Sequence, residues 1–134
     1  EQQLPPRKFD VILCFATLHH LPGQEIRLRC CQNIRRWIAN DGKLYLSNWQ
    51  FLRSKRLRKR IIPWERSSIA ADEVEEGDYL LDWRRGGMGI RYVHHFSAEE
   101  LAQLAVGSGF RMFESFDSDG KEGNLSHYQV WEPV

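Results

Sequence analysis

Hydrophobic positions along the chain change period several times, and the changes divide it into elements. Phe9–Ala16 (FDVILCFA) is an almost unbroken apolar, β-prone run between Pro6 and Pro22-Gly23, the pattern of a strand buried on both faces of a parallel sheet. Beyond it Ile26, Cys30, Ile34 and Ile38 recur four apart with Trp37 beside the last, while Arg27, Arg29, Arg35 and Arg36 take the other faces. That spacing predicts an amphipathic helix. Asn40-Asp41-Gly42 offers a left-handed glycine to end it, and Lys43–Trp49 (KLYLSNW) returns to a strand pattern. Strand, helix and strand make a βαβ unit.

Tyr79–Trp83 and Ile90–Phe96 are two β-prone runs around the turn-rich Arg84–Gly89, which predicts a hairpin interrupting the α/β alternation. Ser97 followed three residues on by Glu100 is a capping box, with Leu101, Leu104 and Ala105 as the buried stripe and Gly107-Ser108-Gly109 as the stop. Phe110–Asp117 and Leu125–Trp131 read as strands on either side of a polar loop, Ser118–Asn124, and are expected to pair antiparallel. No repeat, low-complexity tract or flexible linker divides the chain, so one domain is expected over residues 1–134.

Composition adds little to this picture except locally. With 134 residues, 42% hydrophobic and 28% charged, the chain has the makings of a single core, and a net charge of +1 gives no global field toward nucleic acid or membrane. Arg53, Lys55, Arg56, Arg58, Lys59, Arg60 and Arg66 form a basic run that either grips phosphates or is a solvated face. Asp72, Glu73, Glu75, Glu76 and Asp78 follow, and are expected to neutralise much of it within the fold. The longest apolar stretch, Val11–Ala16, falls far short of the roughly twenty residues of a membrane span, and no charged leader precedes an apolar signal core. A soluble, cytoplasmic protein with no membrane partner is expected. The three cysteines, two of them adjacent, make a poor disulfide framework and read as buried thiols of a reducing compartment.

A parallel βαβ unit binds ligands at the carboxyl ends of its strands, here Cys14–His20 and Asn48-Trp49. His19 or His20 could serve there as base, hydrogen-bond donor or shape element, or simply pack under the helix. Five histidines and three cysteines show no CxxC or HxxxH spacing, so no metal site is expected. No GxSxG, GxGxxG or GxxxxGK[ST] motif occurs either. Trp49 and Tyr92 are candidate base-stacking surfaces.

The order of these motifs carries a resemblance. Phe9-Asp10-Val11-Ile12, Leu18-His19-His20-Leu21, an amphipathic helix, Asn40-Asp41-Gly42-Lys43-Leu44-Tyr45-Leu46 and a terminal strand pair resemble the C-terminal half of class I S-adenosylmethionine-dependent methyltransferases. Trp49, Arg91-Tyr92-Val93-His94 with Phe96 before a capped helix, Asp117 and Gly123-Asn124 look like the tRNA wobble-uridine carboxymethyl methyltransferases and their bacterial relatives. The resemblance implies an α/β fold, the C-terminal half of a Rossmann-like sheet ending in an antiparallel pair, with a substrate-side insertion at about 51–96. By position it gives Cys14, Phe15, Ala16 and His19 to S-adenosyl-L-methionine, His20 and Trp49 to the acceptor pocket as catalytic residues, and Arg91, Tyr92 and His94 to the substrate. The acceptor would be tRNA or a small molecule. The glycine-rich loop, ribose-holding acid and adenine contact of that superfamily lie upstream of the strand matched to Phe9. The expectation is therefore part of an enzyme, its own cofactor site incomplete and the isolated chain inactive, with self-association through the exposed sheet edge and a small activator subunit as further partners. The alternative is a non-catalytic RNA-binding or assembly module derived from the same fold.

Overall fold

The computed structural model describes residues 7–87 and 89–134; Pro6, and Met88 within the expected hairpin turn, lie outside the described residues. The elements run β1 (Phe9–Phe15), α1 (Gln24–Trp37), β2 (Ile38–Trp49), α2 (Lys55–Arg58), β3 (Ile61–Ile62), β4 (Asp78–Trp83), β5 (Gly89–His94), α3 (Ala98–Gly107), β6 (Phe110–Ser118) and β7 (Ser126–Pro133). Four strands form the main sheet in the order β1-β2-β7-β6. β1 and β2 are parallel, joined through α1, whereas β7 lies antiparallel to both β2 and β6. This is the mixed α/β sheet with an antiparallel end that the sequence predicts.

One core joins the main sheet to α1 and α3, around Cys14, Leu18, Cys31, Ile34, Leu46, Leu101, Phe110 and Trp131. The expected capping box is present: Ser97 Oγ accepts from the Glu100 amide and Glu100 Oε1 from the Ser97 amide. Gly109, at φ 86°, supplies the left-handed residue just past the helix end that an L side chain adopts only under strain. Residues 51–96 hold a second, three-stranded sheet, β3-β4-β5, over a smaller cluster of Phe51, Leu57, Leu81 and Val93. The hairpin of β4 and β5 pairs Asp78 with His94 and Leu80 with Tyr92.

Four local expectations are corrected. β1 is not buried on both faces: it is an edge strand, and Phe9, Val11, Leu13 and Phe15 on the face away from α1 are 42–61% exposed. In α1 the buried stripe is Arg27, Cys31 and Ile34 rather than Ile26 and Cys30, and Ile26 is 46% exposed. The helix also ends at Trp37, and Gly42 lies inside β2 without a positive φ. Its role is close approach, since a Cβ there would meet Ile38 Cγ1 at 2.7 Å and the Asp10 carbonyl of β1 at 3.0 Å. Finally, among the described residues no ion pair joins the basic run to the acidic stretch. Glu75 and Asp78 turn to Arg27, and Arg53 turns to Asp117 at 3.0 Å.

Candidate acceptor cleft at the carboxyl ends of β1 and β2

The backbone of β1 stops at Ala16, whose left-handed φ of 49° turns the chain away from the sheet. The Ala16 amide bonds Ser47 through both its carbonyl (3.1 Å) and its hydroxyl (3.0 Å), tying the turn to β2. A short 3-10 turn, Leu18–His20, follows and places two imidazoles against Trp49 at the end of β2. His19 stacks on Trp49 at 5.9 Å between centroids, and His20 meets His19 edge to face at 4.3 Å.

The two rings have different jobs. His19 is buried, and its Nδ1 accepts from the Trp49 amide at 3.1 Å, so the ring proton sits on Nε2. Burial, reinforced by the neighbouring His20, pushes the His19 pKa down to about 3. His20 faces the other way. Its Nδ1 lies 3.1 Å from the Tyr92 carbonyl, which can only accept, so Nδ1 carries the proton and Nε2 keeps its lone pair. His20, Trp83, Gly89, Ile90, Arg91 and Tyr92 line an open cleft of about 570 Å³.

Because His19 is neutral in the fold but titrates in the unfolded chain, its contribution is complete above about pH 6.5 and is lost as pH falls from there toward about 3. The expected loss is on the order of 1–3 kcal/mol by about pH 4.5. Urea melts across that window should show the slope, and His19→Gln should flatten it.

The remaining expected site residues divide between this cleft and the interior. Arg91 stacks its guanidinium over Trp83 at 3.8 Å and has no carboxylate partner among the described residues. Phe15 and Ala16 are exposed at the end of β1, whereas Cys14 is buried, its thiol pushed up to about 11 chiefly by burial. Tyr92 and His94 turn their side chains inward. The Tyr92 hydroxyl donates to Asp78 Oδ1 at 2.5 Å, and the His94 ring lies between two carboxyl groups, Asp78 (Nδ1, 2.6 Å) and Glu100 (Nε2, 2.7 Å). Glu75, Asp78 and His94 therefore converge, but Arg27 stands 3.5 Å from Glu75 and 3.6 Å from Asp78, a cation where a metal would sit.

The sequence pattern puts Asn48 at the expected strand end without giving it a role, and it puts Arg27 on the wrong face of α1. Asn48, 1% exposed beside His19, has a buried Oδ1 that makes no well-formed hydrogen bond among the described residues and lies near enough to the His19 ring to favour its proton slightly. Arg27 was placed on the solvent side of α1 although it is 2% exposed. Its position four before Cys31 and seven before Ile34, both buried, was the available signal.

Comparison with known proteins places this geometry in context. Residues 1–46 match the methyltransferase domain family. A curated relative from Encephalitozoon cuniculi (strain GB-M1), which carries a methyltransferase name, is 33% identical over 107 residues, 79% of this chain and 46% of that protein. A SAM-dependent methyltransferase structure from Methanosarcina mazei superposes with a TM-score of 0.70 at 22% identity, over 98% of this chain and 63% of that one. The CcbJ methyltransferase of Streptomyces caelestis gives 0.67 at 16% identity, over 100% and 64%. The 1,6-didemethyltoxoflavin-N1-methyltransferase of Burkholderia thailandensis, with its substrate and S-adenosylhomocysteine bound, gives 0.63 at 14% identity, over 99% and 47%. The chain thus spans about half the length of the curated relative and under two thirds of these structures. Its four-stranded mixed sheet, flanked by α1 and α3, has the fold of class I S-adenosylmethionine-dependent methyltransferases, and its first 46 residues carry the sequence pattern of a methyltransferase domain.

Proposed function

We propose that this chain supplies the acceptor side of an S-adenosylmethionine-dependent methyltransferase, and that its acceptor presents a carboxylate, as the carboxymethyl group of a tRNA wobble uridine does. The observation that carries the reading is Arg91: a guanidinium 3.8 Å over the Trp83 ring, without a carboxylate partner among the described residues, in the same cleft as His20. Such a group binds a carboxylate through two parallel N–H donors. S-adenosylmethionine supplies a methyl group on a sulfonium, and Phe15, Ala16, His19 and the Asn48 Oδ1 are the residues suited to its methionine end. The ionised carboxylate is already a nucleophile, so the protein's work is orientation and exclusion of water around it, with His20 in the wall and Trp49 packed edge to face against it at 6.5 Å.

The test uses binding to this chain. Titration with 5-carboxymethyluridine is expected to shift the Arg91 side-chain Nε–H, the His20 ring and the Trp83 indole signals, whereas uridine shifts none of them. Arg91→Ala should weaken that binding about tenfold to a hundredfold, the worth of one charge-assisted pair in a half-buried site. Equal affinity for both nucleosides overturns the reading.

A second copy of the chain is the partner this proposal includes. The edge of β1 leaves backbone donors and acceptors unpaired beside a charge-free row of Phe9, Val11, Leu13 and Phe15, which favours edge-to-edge pairing of two β1 strands. Light scattering is expected to give a dimer that Leu13→Lys returns to monomer; a monomer at all concentrations sinks this part. The RNA-binding alternative draws support from the basic run, where Lys55, Arg56, Arg58 and Lys59 are exposed and without acid partners among the described residues. It predicts binding to single-stranded RNA that falls steeply with salt and ignores Arg91→Ala.

A further inference from the structure

Arg27 makes more contacts than charge compensation requires. Its Nε donates to the Leu21 carbonyl at 2.9 Å and one terminal nitrogen donates to the Tyr92 hydroxyl at 2.9 Å, while the guanidinium lies 5.4 Å from the Phe96 ring. The two ends of this grip flank one residue. Leu21 directly follows His20, and the Tyr92 carbonyl is the acceptor for His20 Nδ1. Arg27 therefore holds the 3-10 turn that carries His20 and the strand that His20 bonds to, in one rigid fork.

The fork is itself seated. Asp78 takes the Tyr92 hydroxyl and the His94 ring, and His94 reaches Glu100 on α3, so α1, β4, β5 and α3 all bear on the same centre. Compensating one buried cation would need one acid; here two acids, a hydroxyl and a carbonyl from three segments surround it. A lysine ammonium could answer the charge but has no planar fork to reach Leu21 and Tyr92 at once.

We propose that Arg27, seated on Asp78, is a positioning residue for His20. It fixes the distance between the Leu18–His20 turn and β5, so that the Tyr92 carbonyl keeps the ring proton on Nδ1 and Nε2 stays open to the cleft. The inference rests on the acceptor-side reading of His20 given above. No element of it requires Arg27 to touch substrate.

The tautomer of each histidine ring is directly readable in long-range nitrogen–proton spectra of the chain labelled with ¹⁵N-histidine, at about pH 8, where exposed imidazoles are neutral. In the unaltered chain the Nδ1–H form of His20 is expected to exceed the other by about tenfold, the worth of one hydrogen bond. Arg27→Lys should bring the two forms to within about threefold, and Tyr92→Phe, which removes only the hydroxyl Arg27 grips, should shift them the same way by less. His19, fixed by the Trp49 amide, should remain Nε2–H throughout and reports that the turn is still folded. If Arg27→Lys does not fold, Tyr92→Phe decides the matter alone. Folded variants in which His20 keeps the Nδ1–H form overturn the positioning role and leave the acceptor cleft standing. An Nε2–H form of His20 in the unaltered chain overturns the geometry assigned to the cleft itself.

Discussion

Replacing Asp78 with alanine is expected to lower the unfolding free energy by about 3 kcal/mol, the low end of the cost of breaking a buried ion pair, because Arg27 keeps Glu75 at 3.5 Å while Tyr92 and His94 lose their acceptor. Asp78 is 9% exposed and sits where Arg27, Tyr92 and His94 meet. Burial alone would raise its carboxyl pKa, but the Tyr92 hydroxyl, the Glu75 amide and His94 outweigh burial and hold it below the usual carboxylate range. A depressed folded value means the stabilisation is present above the unfolded carboxyl pKa of about 3.9 and is lost as pH falls through the folded one. That window lies below most of the one in which His19 acts, so a urea-melt series against pH should show two separable slopes. Asp78→Asn keeps the shape and should lose less than alanine while reducing the lower slope, to which Asp117 and Glu132 also contribute. A loss under about 1 kcal/mol for Asp78→Ala would mean that the network is solvated and not a structural centre.

Trp131→Ala is the second large change, with an expected cost of about 3–5 kcal/mol for an aromatic removed from a filled core. Trp131 is fully buried in β7, one of the two interior strands of the main sheet, opposite Leu44 on one side and Met112 on the other, and packs against Phe110 at 5.8 Å. Its indole N–H also donates to Gln129 Oε1 at 2.7 Å, which obliges the Gln129 amide to turn its nitrogen toward His127 Nε2. His127 then gives its Nδ1 proton to Asp117, which pairs with Arg53. Trp131→Phe keeps much of the packing but not the donor. It should cost about 1–2 kcal/mol and free the Gln129 amide to flip, visible as exchange broadening of its side-chain signals.

What the sequence displayed was mostly what neighbouring residues decide among themselves. Ser97 and Glu100 satisfy each other's amides within one turn, and the 79–96 hairpin needs only its own turn and alternation, so both were legible. β1 was misjudged because an apolar run reports the capacity to be buried, whereas its exposure depends on how many strands lie beside it. Arg27 was misjudged because helical periodicity sorts residues by polarity, and nothing local says that a tyrosine, a histidine and two acids from distant segments will converge on an arginine. The cleft was half visible: His19-His20 and Trp49 stood at the expected strand ends, but the proton on each ring was settled by the Trp49 amide and the Tyr92 carbonyl, long-range contacts both.

The strand order carries a consequence for how the chain must be made. β7, residues 126–133, runs between β2 and β6 in the interior of the main sheet, although it is the last strand in sequence. Until residues 126–133 have been made, the edge of β2 that receives β7 has no partner, whatever has already formed on the β1 side. Through the synthesis of residues 50–125 the sheet therefore keeps that edge open, exposed to chaperones and to wrong strand pairing. Removing residues 123–134 would take out a keystone rather than trim a tail.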